Sequence, residues 1–337
     1  MKLYGGIDLH SNNSYVVILD EEDRVVYEKR LENDAEEILS ALTPYQSSLD
    51  GLVVESTYNW YWLVDALQAK NYTVHLANPG AVSAYSGLKY SDDKSDARWL
   101  AKLLRLNILA TGYIYPKEQR SLREMLRRRL VLVQNQTRQI LSIQGLGARY
   151  LNQHWSGAKI KKNDKKWLTA ISDPLIRQCM ESHYQILKCV QAEIEQLEKI
   201  IKKELNPSDD FKRLQNIPGV GPILAMTILL ETGEIKRFPS AGNYSSYCRM
   251  VRSICISNEK KKGENNRKNG NTYLSWAFTE AANVAIRVYK PITRYYQRKL
   301  QKQLRVVALK TIANKLSKAS YFILRDKVEF DMKKLFP

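Results

Sequence analysis

The chain has 337 residues, 44% of them hydrophobic and 26% charged, which provides for two or three folded domains and excludes a disordered or low-complexity protein. With 53 Lys+Arg against 35 Asp+Glu the net charge is +18, a balance that selects polyanionic partners, either nucleic acid or an anionic membrane surface. Apolar runs are far shorter than the roughly 20 residues of a membrane span, the first residues lack a signal-peptide core, and the four cysteines have no C-x-x-C spacing, so a cytoplasmic protein without membrane spans, zinc or disulfides is expected.

Residues 3–7, 14–19 and 25–31 read as strands separated by turn-rich stretches at 11–13 and 20–23, which makes an antiparallel meander. Asn33 or Asp34 serves as N-cap for a helix through Leu42. A buried strand at 51–55, a helix at 60–70 and a strand at 73–77 follow, closed by Asn78-Pro79-Gly80. Strands in a run and then alternating with a helix predict a mixed α/β sheet. From Asp96 onward almost everything is helical. Along Met180, His183, Leu187, Val190, Ile194, Leu197 and Ile201 the steps alternate between three and four. Such a heptad seam suits a coiled-coil hairpin, a dimer contact, or an ordinary amphipathic helix on its own domain. Asn206-Pro207-Ser208-Asp209-Asp210 reads as a boundary. The expected division is an α/β domain with a basic helical extension over 1–145, a helical coiled-coil region over 146–208, and a mostly helical domain over 209–337.

The charge is unevenly placed. Residues 1–110 hold 10 Lys+Arg against 16 Asp+Glu, net −6, and the remainder is net +24. Asp8 ends the first strand in Gly6-Ile7-Asp8-Leu9, and Glu55 ends another in Val53-Val54-Glu55-Ser56. An ionised carboxylate at the end of a buried strand needs a compensating cation. Asp93 and Asp96, three apart, share one face of the helix that begins there. Taken singly, both also suit the positive end of a helix, and Asp8 suits a turn; Asp92 leaves the register open by one residue. Together the four acids offer hard oxygen ligands to a divalent cation, Mg²⁺ being the natural choice for phosphate chemistry and Mn²⁺ its substitute. A Gly-Ile-Asp-Leu opening also begins the actin-like ATPases, but those require Gly-rich phosphate loops that the acidic part lacks.

The basic part carries its own signals. Residues 117–138 form a helix with seven basic and two acidic residues, in which Arg120, Arg123 and Arg127 make a stripe and Arg128 adjoins it, a pattern suited to phosphate contact. Residues 214–225 have the pattern of a helix-hairpin-helix, where Gly219 and Gly221 let backbone amides approach a DNA phosphate; a tight helix–helix turn is the plainer alternative. Residues 257–271 make a polar basic loop with Lys260, Lys261, Lys262, Arg267 and Lys268. A serine at its root, Ser257, would have its alkoxide and target phosphate stabilised by positive charge. The four histidines form no recognisable metal motif or triad.

In order along the chain, Gly6-Ile7-Asp8-Leu9-His10, Val54-Glu55-Ser56-Thr57, residues 88–97, Gly112-Tyr113-Ile114-Tyr115-Pro116, Ile217-Pro218-Gly219-Val220-Gly221, and Ser257-Asn258 through Lys268-Asn269-Gly270-Asn271 resemble the bridge-RNA-guided DEDD transposases of the IS110 family, more closely its IS1111 branch. The resemblance spans nearly the whole length. It implies an N-terminal RuvC-like, ribonuclease-H-type domain whose Asp, Glu, Asp, Asp tetrad binds Mg²⁺, falling here on Asp8, Glu55, Asp93 and Asp96. A coiled coil and a C-terminal transposase domain with a catalytic serine would follow. In relatives that serine precedes a Lys-rich loop ending in Lys-x-Gly-Asn, and counting back from Lys268 places it at Ser257, with Ser253 as the fallback. Glu259 stands where relatives often have glycine. The family further implies cutting and rejoining of double-stranded donor and target DNA through a serine–DNA link, guided by a non-coding bridge RNA. Its members form homodimers that assemble into tetramers, the acidic domain of one subunit meeting the serine domain of another.

Overall fold

Short apolar stretches bounded by polar turns in the acidic part build one sheet from β1 (Leu3–Leu9), β2 (Asn13–Leu19), β3 (Val25–Glu32), β4 (Leu49–Glu55), β5 (Val74–Ala77) and β6 (Thr111–Gly112). The computed structural model describes residues 1–78, 92–162, 166–204, 208–263 and 269–336. Pro79, Gly80, Asn206, Pro207, Arg267 and Lys268, and residues 88–91 of the family-like stretch, lie outside the described residues. Strand order is β3-β2-β1-β4-β5-β6. The first three strands form the expected antiparallel meander, β1 and β5 run parallel to β4, and β6 adds an antiparallel edge. The mixed α/β expectation therefore holds, while the two-residue β6 is too short to announce itself in the sequence. β1 also runs past Ile7 through Leu9, so Asp8 lies within the strand, opposite Tyr15, rather than at its end.

Helices cover both faces of this sheet. On one face α1 (Ala35–Leu42), which Asp34 and not Asn33 caps, and α2 (Tyr61–Ala69) bury Ile38, Leu42, Leu63, Val64 and Leu67 against Ile7, Leu9, Val16, Ile18, Leu52 and Val54. Each such side chain stabilises the fold by about 1.5–3 kcal/mol. On the other face α3 (Asp93–Arg105) sets Ala97 and Ala101 on Val17 and Leu19, and Leu100 on Val53 and Ala77. These elements belong to one compact unit, Met1–Lys117; Glu118–Pro337 form a second.

In the second unit α4 (Lys117–Leu151) and α5 (Pro174–Glu204) lie antiparallel. Leu132 packs with Val190 and Ile194, while Ile140 and Ile143 pack with Met180, Tyr184 and Leu187. The heptad seam thus closes within the chain as a helical hairpin. His183 departs from the seam, bonding Gln139 at 2.7 Å, and its neighbour Tyr184 takes the buried place. Beyond the hairpin come α6 (Asp209–Gln215), α7 (Pro222–Thr232), α8 (Ala241–Tyr247), the strands β7 (Cys255–Ser257) and β8 (Lys260–Gly263), α9 (Thr272–Val288), α10 (Lys290–Leu300) and α11 (Arg305–Asp326). Their core includes Phe211, Met226, Tyr244, Phe278, Ala281, Ile312 and Tyr321, and Leu126 and Ile201 from the base of the hairpin join it. That shared core draws the hairpin and the C-terminal helices into one unit, where the sequence suggested breaks near 145 and 208. Among the described residues no helix is long and apolar enough to cross a membrane.

Candidate metal centre and serine hairpin

β1 and β4 pair in parallel with Ile7 beside Val54, so Asp8 and Glu55 leave neighbouring strands at the same level. Asp8 is only 3% exposed. The approach of α3 to this face depends on Gly6, where a Cβ would lie 2.1 Å from the Ala97 carbonyl oxygen and 2.8 Å from the Ala101 nitrogen. A helix seated that closely brings its first turn, with Asp93 and Asp96, to Asp8. Asp92 is the N-cap: its carboxylate accepts from the Ser95 amide at 2.8 Å, and the Ser95 hydroxyl accepts from the Asp92 amide at 2.8 Å. The hydrogen bonds from Ser95 hold the Asp92 carboxyl below the usual carboxylate range. Asp93 and Asp96, rather than Asp92, are therefore the acids turned toward Asp8.

Burial and like-charge repulsion act together on these acids. Burial first, then a hydrogen bond shared with Glu55 and the charges of Glu55, Asp93 and Asp96, pushes Asp8 up to about 8. Burial, followed by the charges of Glu55 and Asp93, raises Asp96 as well. His10 stands among them, with Nδ1 3.5 Å from Asp8 Oδ1 and Nε2 3.3 Å from Asp93 Oδ1. Ligand atoms of Asp8, His10 and Asp93 lie within 4.8 Å of one another. The His10 carbonyl is held in turn by the side-chain amides of Asn33 at 3.0 Å and Asn59 at 2.9 Å. Nothing in the sequence around His10 marks this role, because its partner Asp93 is remote along the chain. Carboxylate oxygens in excess of local positive charge are the donor set a hard divalent cation fits.

In the second unit Ser257 is the last residue of β7 and pairs with Lys260 across a two-residue turn. Asn258 at φ +50° and Glu259 at φ +59° are both left-handed, as a type I′ hairpin turn requires. Glycine is the ordinary occupant of such a position, so Glu259 holds a backbone that favours a residue without a side chain. Ser257, Lys260, Lys261 and Lys262 are all exposed, whereas Ser253 precedes the strand and is half-buried. Past the loop, Asn271 caps α9 by accepting from the Tyr273 and Leu274 amides.

The expected arginine stripe is differently employed. Arg120 and Arg123 are buried, at 7% and 6% exposure. Arg123 and Arg127 converge on the buried Glu231 of α7, Arg123 Nε at 3.1 Å and Arg127 Nε at 2.6 Å. Asn271 donates a further hydrogen bond to that carboxylate at 2.7 Å, and Arg127 also covers the Tyr273 ring at 4.3 Å. Burial alone would raise Glu231; the hydrogen bond from Arg127 and the two guanidinium charges outweigh it and hold the carboxyl below its usual range. These arginines join α4, α7 and α9, and only Arg128 of the four lies exposed. Gly219, at φ +81°, likewise faces inward, since a Cβ there would meet the Ala281 carbonyl oxygen of α9 at 2.1 Å. The turn is a close helix–helix contact at Gly219; Gly221, the N-cap of α7, is open, with no atom within 4 Å of a Cβ placed there.

Two family models match the chain. The IS110-type DEDD model, described as Transposase, matches residues 5–151, and a model described as Transposase IS116/IS110/IS902 family matches residues 211–297. The chain is 22% identical over 293 residues to a protein of Coxiella burnetii named Transposase for insertion sequence element IS1111A, covering 85% of this chain and 78% of that one. It is 24% identical over 278 residues to the Probable family 20 transposase of Pseudomonas aeruginosa, covering 78% and 80% respectively. The first matched segment contains the four carboxylates and His10; the second contains Gly219, Glu231, Ser257 and Asn271.

Proposed function

Since the chain belongs to the IS110 family of insertion-sequence transposases, we propose that it cuts and rejoins donor and target DNA strands under the guidance of a non-coding RNA, using the acidic centre and Ser257 together. The observation that carries this reading is the gathering of Glu55, Asp93 and Asp96 about Asp8, whose burial, hydrogen bond with Glu55 and like-charged neighbours raise it to about 8. Those residues, with His10 beside them, would hold Mg²⁺ or Mn²⁺. When bound, such an ion neutralises phosphate charge and polarises a reacting phosphoryl oxygen. The chain's own groups do the rest. Asp8 and Glu55 are fixed by strand pairing, and Asp93 and Asp96 by the seating of α3, so the ligands are pre-positioned.

The type I′ turn presents the Ser257 hydroxyl at an exposed hairpin end, with Lys260, Lys261 and Lys262 following it to stabilise phosphate charge. Ser257 Oγ attacks a DNA phosphorus, its proton passing to the departing strand oxygen, and a serine–DNA ester remains; a strand hydroxyl reverses the step and rejoins the DNA. Target choice rests on base pairing by the RNA, while the protein contacts backbone and shape. A homodimer assembling to a tetramer would bring the acidic domain of one copy to the serine domain of another.

Trapping protein on cleaved DNA tests the reading. An adduct lost in Ser257→Ala and retained in Ser253→Ala supports it; free cut ends without an adduct would instead identify a metal-dependent junction nuclease. A discrete copurifying RNA, complementary in part to the element ends, tests the guide.

A further inference from the structure

Lys310 of α11 is half-buried, and among the described residues its partners are hydroxyls, with no carboxylate charge acting on it. Its Nζ donates to two hydroxyls of α9, Ser275 Oγ at 3.1 Å and Thr279 Oγ1 at 3.3 Å. The Thr279 hydroxyl proton is engaged by the Ser275 carbonyl at 2.7 Å. An ammonium has three protons, so one remains on Lys310, and the Ser275 hydroxyl proton has no acceptor among the described residues. Two donors and a whole positive charge are therefore gathered at one point with no anion to receive them. Burial lowers the Lys310 pKa, which an anionic partner would reverse. One turn along α11, Asn314 donates to the Met250 carbonyl at 3.4 Å, in the segment leading to the serine hairpin.

We propose that Lys310, Ser275 and Thr279 form a subsite for one backbone phosphate of duplex DNA. Lys310 and the Ser275 hydroxyl contact the phosphate oxygens, and Thr279 holds the ammonium in place. Such a contact reads no sequence and fixes where the duplex lies on the α9–α11 face. It rests on the transposase reading in taking DNA as the ligand.

The test measures binding of the full chain to duplex DNA of several sequences across a salt series, for wild type, Lys310→Gln, Lys310→Arg and Ser275→Ala. Gln keeps hydrogen-bonding capacity toward both hydroxyls while removing the charge. It is expected to lower the slope of log affinity against log salt by about 0.9, so that a rise from about 50 to about 200 mM salt weakens it about 3-fold less than wild type. Affinity at low salt falls alike on every sequence, and Lys310→Arg restores the slope. Ser275→Ala, which leaves the charge in place, weakens binding severalfold at an unchanged slope. A wild-type slope in Lys310→Gln, or wild-type affinity in Ser275→Ala, overturns the subsite, as does a slope change confined to RNA. Absence of salt-dependent duplex binding by the wild-type chain counts against the transposase reading itself and removes the subsite with it.

Discussion

Gly6 lies directly against the backbone of Ala97: a methyl group on the glycine would fall 2.1 Å from the Ala97 carbonyl oxygen. Asp96 adjoins Ala97, and Asp93 is one turn earlier, so the depth at which α3 sits on β1 also sets where two of the four acids are held. Gly6→Ala is expected to lift the helix, destabilising the chain by about 1–3 kcal/mol and weakening divalent-metal binding. Urea unfolding and metal titration check this. A variant with wild-type stability and metal affinity would mean that α3 does not need this closeness.

Asp8 makes the metal-free protein sensitive to alkali. Its folded-state value is about 8 against an ordinary 3.8, so the neutral acid is the favoured form. The stability it contributes is complete below about pH 3.8 and is lost as pH rises through about 8. In chelator, the wild-type melting temperature should fall between pH 6 and pH 9 more steeply than that of Asp8→Asn, by about 2–4 °C for each kcal/mol involved. Superimposable pH profiles would sink the assignment.

Glu231 is a single buried carboxylate facing Arg123 and Arg127. Glu231→Leu leaves two guanidinium groups without it and is expected to cost about 3–5 kcal/mol. Replacing both arginines by Met in the same chain should return most of that loss, because the charges that lost their buried counter-charge go too. Denaturant midpoints for the single and triple variants decide it; simple additivity would show that the three side chains are not coupled. Retention of duplex DNA binding by the triple variant would accord with an internal role for these arginines.

At the hairpin end, Glu259 holds a left-handed backbone at φ +59°, which costs a side-chain-bearing residue about 1–2 kcal/mol. Glu259→Gly forms the favoured Asn-Gly turn and removes an acid two residues from Ser257. The melting temperature should rise slightly, and serine–DNA adduct should form at least as fast as in wild type. Slower adduct formation would assign the Glu259 carboxylate a part in the chemistry.

How far the sequence could be read depended on whether a residue's partner was close along the chain or on a regular repeat. The turn-bounded strands β1 to β3, a cap at Asn33 or Asp34 and the three-four stepping of α5 are local patterns, and each is met by an element, with Asp34 as the cap and Tyr184 in place of His183 on the seam. Asp93 could be preferred over Asp92 because three residues make a helical turn. The arginines were misjudged for the opposite reason. Arg127 meets Glu231 across 104 residues, and Glu231 sits in a helix, Pro222–Thr232, apolar nearly all round, where nothing marks a lone acid as the counter-charge for a basic stripe. Gly219 suits either an opening for phosphate or a tight helix–helix turn in the sequence, since its contact at Ala281 belongs to a helix that sequence pattern alone cannot bring near. His10 escaped notice likewise.

The serine hairpin is fastened at both roots. Before it, Met250 is held by its amide to Ser245 at 2.9 Å and by its carbonyl to Asn314; after it, the Asn271 amide is bonded to Tyr247 at 2.6 Å. Ser257 is seven residue steps beyond Met250, and at about 3.3–3.6 Å per extended residue the tether cannot exceed roughly 25 Å. Ser257 therefore lies within that distance of a fixed point of the helical unit. Under the proposed serine chemistry, the phosphate that Ser257 attacks must come within that radius of Met250, whichever acidic centre holds it.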